Sequence, residues 1–165
     1  MRELRRMADL DDIYSTRLLE LASDIPRSER LARPGATAFA HSKLCGSTIA
    51  VDVTVADGRI TEFGQTVQAC LLGQAAAAIV GREIIGVTPA EFRSVARAMR
   101  GMLAGVGPPP AGRWADLALL EPVRDYKHRH ASTLLVFDAV ERALDEIEAN
   151  EKQSIERGAA GADGT

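Results

Sequence analysis

Cys45 and Cys70 are the only two cysteines in this 165-residue chain, and they flank a stretch that reads as one β-hairpin. An antiparallel hairpin returns to where it began, so residues at its two outer ends become neighbours. Two soft ligands far apart in sequence can therefore share one pocket. Cys45 precedes Gly46 on a turn, where a small neighbour lets a metal or a partner approach the backbone. It reads equally as a small, half-buried residue. Cys70 stands where strand gives way to helix. A thiol there faces the positive end of the helix dipole, which favours the thiolate, the form that binds metal. The same apolar helix also suits an inert core cysteine.

His128 and His130 lie in Lys127-His128-Arg129-His130, just ahead of the last helix, a pattern that also describes a solvated basic helix entry. His41 is closer to Cys45, and strand alternation decides which way it points. Two Cys with one or two His form a ligand set suited to Zn²⁺, Fe²⁺ or an iron–sulfur centre. The chain has no Cys-x-x-Cys, no His-Glu-x-x-His, no P-loop and no Gly-x-Ser-x-Gly elbow. The enzymatic alternative is a Cys70 nucleophile with His130 as base, which requires the two within hydrogen-bond reach.

The elements that must position these groups follow from periodicity. Residues 7–21 carry Leu10, Ile13, Tyr14, Leu18, Leu19 and Leu21 at helical spacing with acids early. Pro26 and the polar residues 27–30 end that helix, and Pro34-Gly35 marks a turn before an edge strand leading into His41. Residues 48–55 alternate strictly, with Ile49, Val51, Val53 and Val55 on one face and Thr48, Ala50, Asp52 and Thr54 on the other. Asp57-Gly58 is a hairpin turn in which both residues tolerate positive φ. Residues 59–67 return with Ile60 and either Phe63 or Val67 inward, giving an antiparallel sheet with one wet face. From Cys70 an almost uncharged run predicts a helix buried around most of its circumference. Thr88-Pro89-Ala90-Glu91 has the signature of a capped helix start, and that helix runs to about Leu103. Residues 105–112 form a rigid loop, 114–120 a short helix stopped near Pro122, and 131–147 the last long helix, with Leu134, Leu135, Phe137, Val140, Leu144 and Ile147 for the core.

The expected fold class is α+β, a small antiparallel sheet of about three strands with helices packed on one face. Residues 1–9 are an extension, 10–150 a single domain, and 151–165 a disordered tail with nothing to bury. Composition narrows the function. The chain is 46% hydrophobic and 26% charged but only 4% aromatic, so the core must be aliphatic. A net charge of -3 gives no basic footprint for nucleic acid. The basic start Met1-Arg2-Glu3-Leu4-Arg5-Arg6 is followed by no apolar stretch, so it is not a secretory signal. No apolar run approaches the roughly 20 residues that span a bilayer. A cytoplasmic location without membrane attachment is expected, with the cysteines free or metal-bound rather than in a structural disulfide.

The order of these features resembles the iron–sulfur cluster assembly scaffold family, the IscU, NifU N-terminal and SufU group. The likeness spans roughly residues 10–147. It rests on Ile13-Tyr14 and Leu18-Leu19-Glu20 in the first helix, Pro26-Arg27, and Cys45-Gly46-Ser47 leading into an alternating strand. It continues through the Asp-Gly hairpin, Ala69-Cys70 before an Ala-rich helix, Gly81-Arg82-Glu83, and a last helix opening at His130-Ala131-Ser132. The resemblance implies a SufE/NifU-like α+β fold and a protein that is not an enzyme. Such a protein assembles a [2Fe–2S] cluster from iron and from sulfur delivered by a cysteine desulfurase, hands it to acceptor proteins, and can hold Zn²⁺ at the same place.

Residue by residue, the family's Cys-Gly-Asp is here Cys45-Gly46-Ser47, its Gly-Cys is Ala69-Cys70, and its His-Cys-Ser is His130-Ala131-Ser132. Cys45, Cys70 and His130 carry over as cluster or metal ligands; the third cysteine and the aspartate do not. In a register shifted by one, matched on Asp138-Ala139, Ser132 takes the cysteine position. An iron–sulfur cluster normally takes four ligands, mostly thiolates, so a fourth would come from His128, His41, water, a small thiol or a second copy of the chain. Leu120-Glu121-Pro122-Val123-Arg124 is similar to the segment by which family members engage an Hsp70 chaperone, and it also reads as a helix-ending proline before a charged loop. The missing ligands favour an alternative, a degenerate scaffold that binds Zn²⁺ or no metal and acts as an interaction or regulatory module.

Overall fold

A computed structural model of the chain describes residues 16–43 and 46–162, with side chains through residue 158. The extension 1–9 and the expected helical residues 7–15 lie outside the described residues. In chain order the elements are α1 (Thr16–Ser23), β1 (Ala36–His41), β2 (Thr48–Ala56), β3 (Arg59–Gln68), α2 (Leu71–Glu83) and α3 (Pro89–Leu103). A run of 3₁₀ turns (Gly112–Asp125), a 3₁₀ turn (Lys127–Arg129), α4 (His130–Thr133) and α5 (Leu135–Ala162) follow.

The three strands form one antiparallel sheet in the order β1-β2-β3. Asp57 and Gly58 both have positive φ, 53° and 74°, so the predicted tight turn joins β2 to β3. Val53 faces Phe63, Val51 faces Gln65 and Ile49 faces Val67 across the strands. Strict alternation would put Ile60 and Phe63 on opposite faces. An irregularity between Thr54 and Val55 re-phases β3, so that Val55 pairs with Ile60 and both Ile60 and Phe63 are buried. Ala36, Ala38 and Ala40 of β1 extend the same inner face, which packs under α5 and α2.

The outer face is not simply wet. Asp52 is fully buried there, beneath the segment 27–31 that passes over the sheet. Its carboxylate accepts from Arg30 Nε at 2.6 Å and Nη2 at 3.1 Å, from Leu31 N–H at 3.0 Å and from Thr37 Oγ1 at 2.6 Å. Gly64 leaves the room this requires, because a Cβ at Gly64 would run into the Glu29 carbonyl. Arg27, with φ of 59°, turns the segment around the β3 edge, where its carbonyl accepts from Gln65 N–H at 2.9 Å.

α2 is buried around nearly its whole circumference, as its lack of charge predicts. Thr88 Oγ1 accepts from Glu91 N–H at 3.1 Å and Pro89 opens α3, which confirms the capped start. The core is completed by Phe92 of α3, stacked on Phe137 of α5 at 5.9 Å and edge-on to Trp114 at 6.1 Å.

Two expectations differ from what is observed. Pro122 does not stop the segment after Trp114; 3₁₀ turns continue to Asp125, because Trp114, Leu117, Leu120 and Val123 recur every three residues and face the core. The tail expected to be disordered from residue 151 instead prolongs α5 to Ala162. Its described side chains, residues 151–158, are all exposed, and it is carried by a helix already nucleated on the core.

Candidate metal centre

Three elements converge on Cys70. The residue is the N-cap of α2, with an extended backbone (φ -66°, ψ 171°) and a free, partly exposed thiol. Its Sγ lies 3.0 Å from Ser132 Oγ in the first turn of α4. Ser132, which is fully buried, lies in turn 3.1 Å from Ser47 Oγ on the loop that enters β2. A thiol and two hydroxyls thus form one hydrogen-bonded chain between the hairpin and two helices. Gly73, one turn into α2, makes this approach feasible. A Cβ there would stand 3.0 Å from the Ser132 carbonyl and 3.2 Å from its Oγ.

The loop 42–47 is closed at its base. Ser42 N–H donates to the Ser47 carbonyl at 2.8 Å, and Gly46 N–H to the Ser42 carbonyl at 2.9 Å, with Gly46 at a φ of 67° that favours glycine. Cys45 belongs to this loop and lies outside the described residues. Its chain neighbours Gly46 and Ser47 tie the loop to the Ser132–Cys70 pair.

His130 sits at the start of α4, two residues before Ser132, and its ring is held by backbone carbonyls of the preceding turn. Its Nε2 is 3.0 Å from the carbonyls of both Val123 and Arg124. Both partners are acceptors, so Nε2 carries the proton and donates, and the second ring nitrogen, Nδ1, is the one open to a ligand. Of the expected ligands, Cys70 is hydrogen-bonded to Ser132, the residue that takes the cysteine position in the shifted register, and not to His130. The hydrogen bond that a Cys70–His130 nucleophile–base pair needs is not formed. His41, exposed at the end of β1, alternates with the buried Ala40 and so faces the outer side of the sheet. His128 stands edge-on to Tyr126 at 6.4 Å. Among the described residues no group of three or more His, Cys, Asp and Glu is arranged to hold a metal ion. Among the described residues, the groups hydrogen-bonded in series from the Cys70 thiol are the Ser132 and Ser47 hydroxyls.

Gly73, Ser132 and the closed serine loop are the parts that residue chemistry alone does not single out. The available signal for Gly73 was a glycine inside a strong helix-forming run, where it costs about 1 kcal/mol relative to alanine. In the segment 120–124, Leu120 and Val123 are buried in the core and only the Arg124 side chain is well exposed. No described helix is long and apolar enough to cross a membrane.

No family model and no curated protein matches the chain. Solved structures do. A nitrogen-fixing NifU-like protein (N-terminal) from Brucella abortus is 50% identical, with a TM-score of 0.84 over 86% of this chain and 98% of that one. Two further structures are 18% identical and share the fold. One is a candidate iron–sulfur cluster assembly scaffold protein for the SUF system from thermophilic Fervidobacterium islandicum AW-1, with a TM-score of 0.75 over 81% of this chain and 98% of that one. The other is a hypothetical protein, with a TM-score of 0.73 over 82% and 98%. Half of the residues identical across 98% of a NifU-like domain is well beyond a shared fold, and the chain belongs to the NifU-like branch of the iron–sulfur cluster assembly scaffold family.

Proposed function

We propose that this protein is an iron–sulfur cluster assembly scaffold that carries iron or a [2Fe–2S] cluster as cargo on the Cys45 and Cys70 thiolates, with His130 as a third ligand through Nδ1. Sulfur comes from a cysteine desulfurase, and the cargo passes to acceptor proteins in the cytoplasm. The protein binds and transfers and performs no catalysis of its own. One observation carries this reading: the loop containing Cys45, the N-cap thiol of α2 and the first turn of α4 meet through the Ser47–Ser132–Cys70 contacts. A rigid core surrounds a partly exposed thiol, so an incoming ion meets preset donors and can still be released. The test is anaerobic reconstitution with Fe²⁺ and sulfide. Wild type is expected to gain visible charge-transfer absorption that Cys45→Ala and Cys70→Ala each lose. Identical spectra for all three proteins would refute ligation by these cysteines.

A second reading is favoured by the two serines nearest Cys70. Hydroxyls ionise far less readily than thiols, and a site with two thiolates and hydroxyls suits one Zn²⁺ better than a cluster needing four ligands. In this reading the protein is a degenerate scaffold acting as an interaction or regulatory module. Metal analysis of protein purified without added metal separates the two. About one Zn²⁺ per chain, with no cluster after anaerobic reconstitution, selects the second.

A further inference from the structure

Ser132 Oγ carries one proton and lies between two described partners, Cys70 Sγ at 3.0 Å and Ser47 Oγ at 3.1 Å. Ser132 is fully buried and Ser47 is 4% exposed, so the pair of hydroxyls is shielded from bulk water. The spacing to the sulfur has a second meaning. A Zn²⁺-sized ion stands about 2.3 Å from a thiolate sulfur and about 2.1 Å from an oxygen ligand, so two such donors of one ion lie roughly 3.1–3.6 Å apart at angles from square to tetrahedral. The thiol and the hydroxyl are thus already within about half an ångström of the separation that a shared ion imposes. A hydroxyl beside a cation turns a lone pair toward it and its proton away. Away from Cys70, the described acceptor for the Ser132 proton is Ser47 Oγ.

We infer that the Ser132 hydroxyl is the oxygen ligand of the ion held by Cys70, and that Ser47 is its positioning residue, accepting the Ser132 proton so that a lone pair faces the ion. Binding replaces the Cys70–Ser132 hydrogen bond by one bond from each atom to the ion. The thiol proton leaves to solvent, and Ser132 stays a neutral alcohol. This oxygen fills the fourth position beside Cys45, Cys70 and His130, and the inference rests on that reading of the cysteines. A hard, uncharged oxygen holds a borderline ion less firmly than a third thiolate would, which suits cargo that has to be released.

Co²⁺ is the probe, because its near-ultraviolet charge-transfer band reports thiolate ligands and its visible ligand-field bands report the rest of the coordination shell. Wild type, Ser132→Ala, Ser47→Ala, the double variant, Ser47→Thr and Cys70→Ala are titrated anaerobically under reductant. Ser132→Ala is expected to bind Co²⁺ about tenfold more weakly or worse, with shifted visible bands but the wild-type charge-transfer intensity per bound ion. Ser47→Ala should lose about tenfold, as expected for an outer partner of a ligand, and Ser47→Thr, which keeps the hydroxyl, should recover most of that loss. The double variant should bind no more weakly than Ser132→Ala, because Ser47 acts only through Ser132. The visible bands are read at saturating Co²⁺, where a loss of fold stability alone does not shift them. Wild-type affinity and unshifted visible bands in Ser132→Ala would overturn the ligand assignment. Losses that add in full in the double variant would overturn the role of Ser47. If wild type gives no more thiolate band than Cys70→Ala, the cysteine site itself is refuted, and the inference falls with it.

Discussion

The hydroxyl of Ser132 decides what Cys70 can do. It lies 3.0 Å from the sulfur and is fully buried, so any ion bound by Cys70 meets an oxygen donor beside it. Oxygen in place of sulfur lowers the pull on soft and borderline metals such as Cu⁺, Zn²⁺ and Fe²⁺. Replacing Ser132 by Cys puts a second thiol against the first, and the absence of a Cβ at Gly73 leaves space for the larger atom. Under reductant, Ser132→Cys is expected to bind Co²⁺ at least tenfold more tightly than wild type and to raise the thiolate charge-transfer intensity by about half, as a third thiolate joins Cys45 and Cys70. An unchanged titration would mean that position 132 does not face the bound ion. The candidate thiols and imidazoles were legible from the sequence because so few residues can do this chemistry. Which residue of this turn meets Cys70 was not legible, since successive positions on a helix point about 100° apart and a slip of one in register moves the cysteine position from Ala131 to Ser132.

At the scale of elements, two devices hold the site's frame. The first is the packing of α2 on α4 across Gly73. An alanine there gains helix propensity of about 1 kcal/mol but places its Cβ 3.0 Å from the Ser132 carbonyl, a backbone atom that cannot rotate away. Overpacking costs about 1–3 kcal/mol, so Gly73→Ala is expected to lower stability by about 1 kcal/mol in chemical denaturation and to weaken Co²⁺ binding with it. A stabilised variant would show that α4 yields freely. The second device is the segment 27–31 latched over Asp52. Burial alone would push the Asp52 carboxyl up, but hydrogen bonds from Arg30, Thr37 and Leu31 N–H, with the charge of Arg30, reverse this and hold it below the usual carboxylate range. A carboxyl depressed in the folded state adds stability that is present above its unfolded pKa, about 4, and is lost as pH falls through the folded value. Wild type should therefore lose stability on acidification below about pH 4. Asp52→Asn should be less stable than wild type at pH 7, by about 2 kcal/mol for a buried acceptor robbed of its charge, and should show a flatter acid limb. Parallel acid limbs in urea melts at pH 7 and pH 3.5 would rule Asp52 out as the latch. Alternation identified β2 but assigned Asp52 to the wet face, because the residues that cover it come from a segment with no period of its own.

Taken whole, the molecule is a thin sheet covered on one face by helices whose mutual contacts, and not their individual propensities, form the core. The sequence carried that plan clearly, as β2, the Asp57-Gly58 turn, α2 and the Thr88 cap show. Where the reading departed from the structure, at the 3₁₀ run and at the end of α5, the pattern was ambiguous between adjacent conformations or said nothing about continuation. The end of α5 yields the last prediction. Ile147 is its final buried residue among the described side chains, and α5 then projects with residues 148–158 exposed. A helix of that length is marginal in water by itself, and it persists here because the turns ahead of it are fixed on the sheet and on α3. Arg93 of α3 grips this junction through Asp145 at 2.8 Å and Glu148 at 3.2 Å, both of which lie before residue 151. Ending the chain after Asn150 removes helix without removing core. The expected result is a proportionate loss of helical circular dichroism, with a melting temperature within about 2 °C of the full chain, since about 1 kcal/mol moves a domain of this size by roughly 2–4 °C. A fall of more than about 5 °C would mean that the projecting turns are packed against something in solution, and a parallel change in sedimentation would identify that surface as a second copy of the chain.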